Sequence, residues 1–237
     1  MGLLDVFKRK SPIERAVADL REPYAQPDVR RAAMGKLLEL ATPEAYAALL
    51  VRFTFNASGH IADESEKRDL VDELANVGEP AVESIKQFVQ REKAVAFPIE
   101  ALSRILPREA VVAFLVETLG QMEPSDHRTV EQKRAIVQAL SDLGGPAEAP
   151  LAARYLADLN DDVKAVAVAT VTKLANPESY GALVAVCTGD EAAARIQRLA
   201  AEALATLEAD VKDAYAGFNG ELKQDWVLAG GKLVKKS

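Results

Sequence analysis

The side chains able to do acid–base, metal or nucleophilic chemistry are few in this chain, and they are scattered. His60 and His127 are the two histidines, and neither has a second histidine at helical spacing with which to grip a metal. Cys187, the single cysteine, closes the apolar run Val184-Ala-Val-Cys187 and reads as a buried, inert thiol. One cysteine excludes an intramolecular disulfide and a cysteine-based metal site. Gly144-Gly145 precedes Pro146 and reads as a helix–helix turn rather than a phosphate loop. The carboxylates are many but fall on solvent faces. No catalytic constellation emerges, so the expectation is a chain without cofactor, metal or enzymatic activity.

What stands out instead is a series of cations: Arg30/Arg31, Lys67/Arg68, Lys133/Arg134, Lys164 and Arg195/Arg198. In register on stacked helices they would form a ladder able to hold an acidic protein segment or a phosphate backbone. The same cations also read as structural. A cation near a helix N-terminus opposes the macrodipole and needs an acid nearby, and Asp28, Glu66, Glu131 and Asp161/Asp162 stand within a few residues. The partner-binding reading names Arg30, Arg31, Lys67, Arg68, Lys133, Arg134, Lys164 and Arg198, with the lone Trp226 as an apolar anchor.

The elements that must position these residues follow from composition and periodicity. The chain has 237 residues, 49% hydrophobic and 27% charged, which suits a folded protein with a sizeable core. Aromatics are only 5%, so the core is built from Ala, Leu and Val, side chains suited to close helix–helix contact. A net charge of −7 repels nucleic acid and anionic membrane as a whole. No apolar stretch is long enough to span a bilayer, and the first residues lack the order of a secretory signal, so a cytoplasmic location is expected. Residues 1–11 form a short amphipathic segment in which Leu3, Leu4 and Phe7 adjoin Lys8, Arg9 and Lys10; it suits a partner groove, weak membrane contact or a lid on the first hairpin.

An internal repeat organises the rest. Residues 28–51 align without a gap on residues 162–185, with Asp28/Asp162, Val29/Val163, Leu40/Leu174, Ala41/Ala175, Pro43/Pro177, Glu44/Glu178, Tyr46/Tyr180 and Leu49/Leu183 in common. The offset of 134 divides into four units on the scale of a two-helix repeat. Prolines 43, 80, 146 and 177 open helices, since a missing N–H costs nothing in the first turn, and Gly78 and Gly144 suit the preceding C-caps.

Asp28-Val-Arg30 and Asp162-Val-Lys164, each followed by Ala and Leu at helical spacing, resemble the turn into the second helix of HEAT repeats, including the short HEAT-like units of phycobilin lyases. The resemblance implies an all-α, right-handed α-α superhelix of about six hairpins over residues 12–210, with a C-terminal cap and basic tail over 211–237. It also implies a concave side lined by second helices near 29–40, 66–77, 98–106, 131–143, 163–174 and 194–207. The family serves as scaffold, adaptor and occasionally enzyme. The expected function is a non-enzymatic interaction module binding a protein or peptide on that side. A lyase- or chaperone-type subunit presenting a substrate protein is the first alternative, and a nucleic-acid-associated protein the second. HEAT-like DNA glycosylases place Trp, Asp and Arg on the concave side, whereas Trp226 lies outside the repeats. Segments 53–65 and 121–128 are expected as polar loops projecting from the stack, and Lys232–Lys236 as disorder.

Overall fold

The computed structural model describes residues 10–22 and 24–236; Leu3, Leu4 and Phe7 lie outside the described residues. Among the described residues the fold is all-α apart from one small hairpin, and the chain forms two compact units, Met1–Pro107 and Arg108–Ser237. The repeat spacing does not announce this division.

In the first unit, helices α1 (Pro12–Leu20), α2 (Pro27–Leu40), α3 (Pro43–Leu50), α4 (His60–Val77), α5 (Glu79–Arg91) and α6 (Ala96–Ile105) alternate between two layers. The odd-numbered helices pack in one row and the even-numbered in the other. The second unit repeats the plan with α7 (Arg108–Gly120), α8 (Val130–Leu143), α9 (Ala149–Ala153), α10 (Asp161–Leu174), α11 (Tyr180–Thr188) and α12 (Ala194–Thr206). Again α8, α10 and α12 lie side by side. These are the six helical pairs expected, and the even-numbered helices fall on the spans expected for the second helices.

The turns explain why the sequence breaks where it does. Ser11 caps α1 in a reciprocal capping box with Glu14, and Pro12 occupies the first helical turn. The turns after α2 and α10 are near-copies. Ala41 and Ala175 adopt left-handed backbone (φ 50° and 54°), then Thr42 or Asn176 caps the next helix by accepting a backbone N–H, then Pro43 or Pro177 starts it. The layers close over an aliphatic core that includes Leu37, Leu49, Leu70, Leu74 and Leu102 in the first unit and Leu115, Leu140, Val163, Leu183 and Leu204 in the second.

Three expectations are corrected. Of the segment 53–65, only residues 55–59 are irregular; His60 begins α4, and the segment folds back onto the unit through buried charges described below. The 121–126 loop is likewise drawn in, because Tyr155 Oη lies 2.6 Å from the Leu119 carbonyl oxygen and 3.0 Å from that of Met122. The C-terminal tail is ordered: after α13 (Gly220–Asp225), strands β1 (Trp226–Ala229) and β2 (Lys232–Lys235) pair antiparallel about Gly230-Gly231. Both glycines have positive φ (59° and 87°), which a two-residue hairpin turn of this hand demands. The hairpin packs on α12 through β2.

Candidate functional site

Consecutive residues on a helix point about 100° apart, so a doublet of cations cannot present both members to the same side. Three doublets of the expected ladder split this way, the first member turning inward and the second outward.

Arg30, 1% exposed, donates from Nε to both carboxylate oxygens of Glu66 (3.0 and 3.1 Å) and from Nη1 to the Ala25 carbonyl (2.7 Å). Glu66 also accepts from Nε of buried Arg52. Arg52 donates onward to Asp63 Oδ1 at 2.5 Å and to the Phe55 carbonyl at 3.2 Å, and its guanidinium lies over the Phe55 ring. Lys67 Nζ completes the cluster against Asp63 Oδ2 at 2.8 Å and Asn56 Oδ1 at 2.7 Å, and the Ala57 N–H donates to Asp63 Oδ1. Burial alone would push the Asp63 carboxyl up. The hydrogen bonds from Lys67, Ala57 and Arg52 outweigh it and hold the group at about 2, against an ordinary 3.8. Residues 55, 56 and 57 are each tied by a different member of this cluster. The irregular segment is thus fastened by charge, with its Ala57 buried.

The second unit uses one ammonium. Lys133, fully buried, pairs with Asp158 and donates to the carbonyls of Pro124 (2.9 Å) and Asp126 (3.0 Å), closing the 121–126 loop over α8. Lys164 is also buried, 3.3 Å from Asp161. Arg30, Lys67, Lys133 and Lys164 therefore face the interior and are not the rungs of an exposed ladder. Trp226 is corrected on the same ground. It is 6% exposed, so its ring is not presented to solvent as an anchor, and its carbonyl accepts from Tyr215 Oη at 2.8 Å.

The outward members occupy the solvent faces of the even-numbered helices, mostly in ion pairs. Arg31 on α2 reaches Asp69 on α4 (3.3 Å), and Asp72 on α4 receives Arg104 from α6. In the second unit Asp142 on α8 pairs with Lys173 on α10 (2.8 Å), and Asp162 on α10 with Arg195 on α12 (3.2 Å). Arg68 pairs within its helix with Glu64 at 2.7 Å, and Arg198 lies 3.9 Å from Glu221. Exposed Arg134 makes no ion pair among the described residues. Open grooves with apolar floors run between α2 and α4 and between α10 and α12. The α2/α4 groove, about 350 Å³, has Met34, Gly35, Leu38 and Leu70 on its floor. The α10/α12 groove, about 410 Å³, is lined by Ala165, Val168, Ala169, Leu199 and Ala203 among others.

The expected chemically able residues stay apart. His60 starts α4 and His127 starts a short 3₁₀ turn, both exposed. Cys187 is fully buried, and that burial pushes its thiol up to about 12. Sequence reasoning missed Arg52, Asp63, Asp158 and Tyr155. An arginine inside the apolar run Leu49-Leu-Val-Arg-Phe53 is a signal for the first of these. Among the described residues no helix is long and apolar enough to cross a membrane.

No family model and no curated protein matches the chain. Among solved structures, it is similar to a chain of the CpcE–CpcF complex of phycocyanin lyase from a Nostoc species, over 91% of this chain and 84% of that one, at 18% identity and a TM-score of 0.38.

Proposed function

We propose that this protein is a non-enzymatic helical-repeat module that holds a partner protein against the solvent faces of its even-numbered helices. The observation that carries this reading is the open, apolar-floored groove each unit leaves between two such helices, flanked by exposed ion pairs. A partner side chain entering such a groove gains apolar burial, and the rim charges fix its register without large desolvation. Enzymatic pockets are typically enclosed and gather convergent polar groups, whereas these troughs are open and floored by apolar side chains. Nucleic acid is a poor occupant, because the cations of the ladder that would meet phosphate, Arg134 aside, are either buried or matched by a carboxylate.

The test is in-situ crosslinking followed by affinity purification, comparing the native chain with Ala169→Glu. Ala169 is exposed in the α10/α12 groove, so a carboxylate there blocks the trough without entering the core. One recurrent protein crosslinked at Lys173, and lost in the variant at unchanged melting temperature, is the expected result. If no protein recurs, or links fall only on Lys212 and Lys223, the reading fails.

A further inference from the structure

With Arg30 and Lys67 turned inward, the rim of the α2/α4 groove carries more carboxylates than cations. Around the α2/α4 groove the charged lining is Arg31 against Asp69, Asp72 and Glu73. Arg31 is taken by Asp69, Asp72 receives Arg104 from the far side of α4, and Glu73 has no partner among the described residues. An acidic lip over an apolar floor is the opposite of the basic ladder.

A second observation concerns Gly35, in the middle of α2. Glycine inside a helix costs roughly 0.5–1 kcal/mol relative to alanine. Such a cost is usually explained by a neighbour that would clash with a β-carbon, yet a Cβ built on Gly35 meets nothing within 4 Å. Its helical backbone needs no positive φ either. No contact among the described residues accounts for the glycine, and it lies on the groove floor beside Met34, a side chain that adapts to whatever packs on it. The glycine leaves the groove floor open at this point to a group approaching from outside.

Resting on the partner-binding reading above, we infer that the α2/α4 groove receives a cationic, apolar-centred segment of a partner protein. Its aliphatic side chains sit on Met34, Gly35 and Leu70 while lysine or arginine side chains reach Glu73 and the open edges of Asp69 and Asp72. A second copy of this chain is a worse occupant, because a two-fold interface through this face opposes its carboxylates to themselves. Anionic lipid and nucleic acid are repelled by the same lip.

The probe is a fluorescently labelled leucine–lysine amphipathic peptide, titrated by anisotropy onto the full-length chain and its variants, with a leucine–glutamate peptide as control. Gly35→Leu fills the groove without altering charge, and Glu73→Lys alters the lip without filling the groove. The expected result is binding to the native chain, roughly tenfold weaker binding to each variant, and no binding of the acidic peptide. Gly35→Ala is a milder filling variant that keeps the helix if Gly35→Leu lowers the melting temperature. Equal binding to native chain and Gly35→Leu would mean general attraction to an acidic protein, and overturns the assignment. So does absence of binding to the native chain, or a mass doubling in sedimentation that Glu73→Lys changes. The two readings separate in the crosslinking experiment. A recurrent partner still captured by Gly35→Leu sinks the groove assignment and leaves the module standing, whereas no recurrent partner of the native chain sinks the module.

Discussion

Replacing Glu66 by glutamine removes the carboxylate that faces both Arg30 and Arg52. The buried cluster of the first unit holds three cations, Arg30, Arg52 and Lys67, against two carboxylates, Asp63 and Glu66. In Glu66→Gln three cations face one carboxylate in a site from which water is excluded, and the amide oxygen satisfies only part of what the carboxylate accepted. Breaking a buried pair in this way costs about 3–5 kcal/mol, because it strands a charge that has no route to solvent. Asp69→Asn, which removes an exposed partner from Arg31 one turn further along the same helix, costs under about 1 kcal/mol. For a unit of this size the first variant should melt more than about 10 °C below the native chain. Hydrogen exchange read by mass spectrometry is the suitable assay, since Trp226 lies in the second unit and its fluorescence does not follow the first. The amides of Ala25 and Ala57, which donate to the Glu22 carbonyl and to Asp63 Oδ1, should lose protection in Glu66→Gln while the second unit stays unchanged. Loss of less than about 1 kcal/mol, or equal losses from Glu66→Gln and Asp69→Asn, would refute the claim that the cluster fastens these segments.

Further outcomes follow from the same geometry. Asp63 is held at about 2 against 3.8, so its contribution is complete above about pH 4 and lost as pH falls through 2; acid unfolding of the first unit should weaken it by about 2 kcal/mol, a dependence Asp63→Asn abolishes. Tyr155→Phe leaves the Met122 carbonyl without its donor, while that of Leu119 keeps the Met122 N–H, and should cost about 1–3 kcal/mol by urea titration. Cys187, pushed up to about 12 and fully buried, should resist a thiol reagent at mildly alkaline pH until urea unfolds the second unit; fast labelling of the native chain would contradict that placement.

The helices were legible because their punctuation is local. Proline in the first turn, Gly78 and Gly144 after the last, and leucine at helical spacing each act within a few residues. The charged clusters were half legible. The doublets announced cations near helix starts, and helical geometry alone says that Arg30 and Arg31 cannot share a face, but which member turns inward depends on where the neighbouring helix lies. Asp63 and Arg52 escaped because the polar stretch between them reads as linker, while its backbone is tied by these same two side chains, one at each end of it. The hairpin had a signal in Gly230-Gly231 between two short apolar runs, and the lysines around it masked that signal. The α2/α4 groove had none, since the unused space above Gly35 is visible only once α4 is in place.

Ala41 and Ala175 hold the same left-handed backbone at the same point of two turns 134 residues apart. For a residue with a β-carbon that conformation costs roughly 1–2 kcal/mol, and glycine would remove the penalty. Two turns solving one folding problem independently would be expected to settle on the cheaper residue at least once. Sharing the dearer one, together with the Pro-Glu-x-Tyr that follows each, marks the two stretches as copies of one ancestral segment whose blemish was carried along with its design.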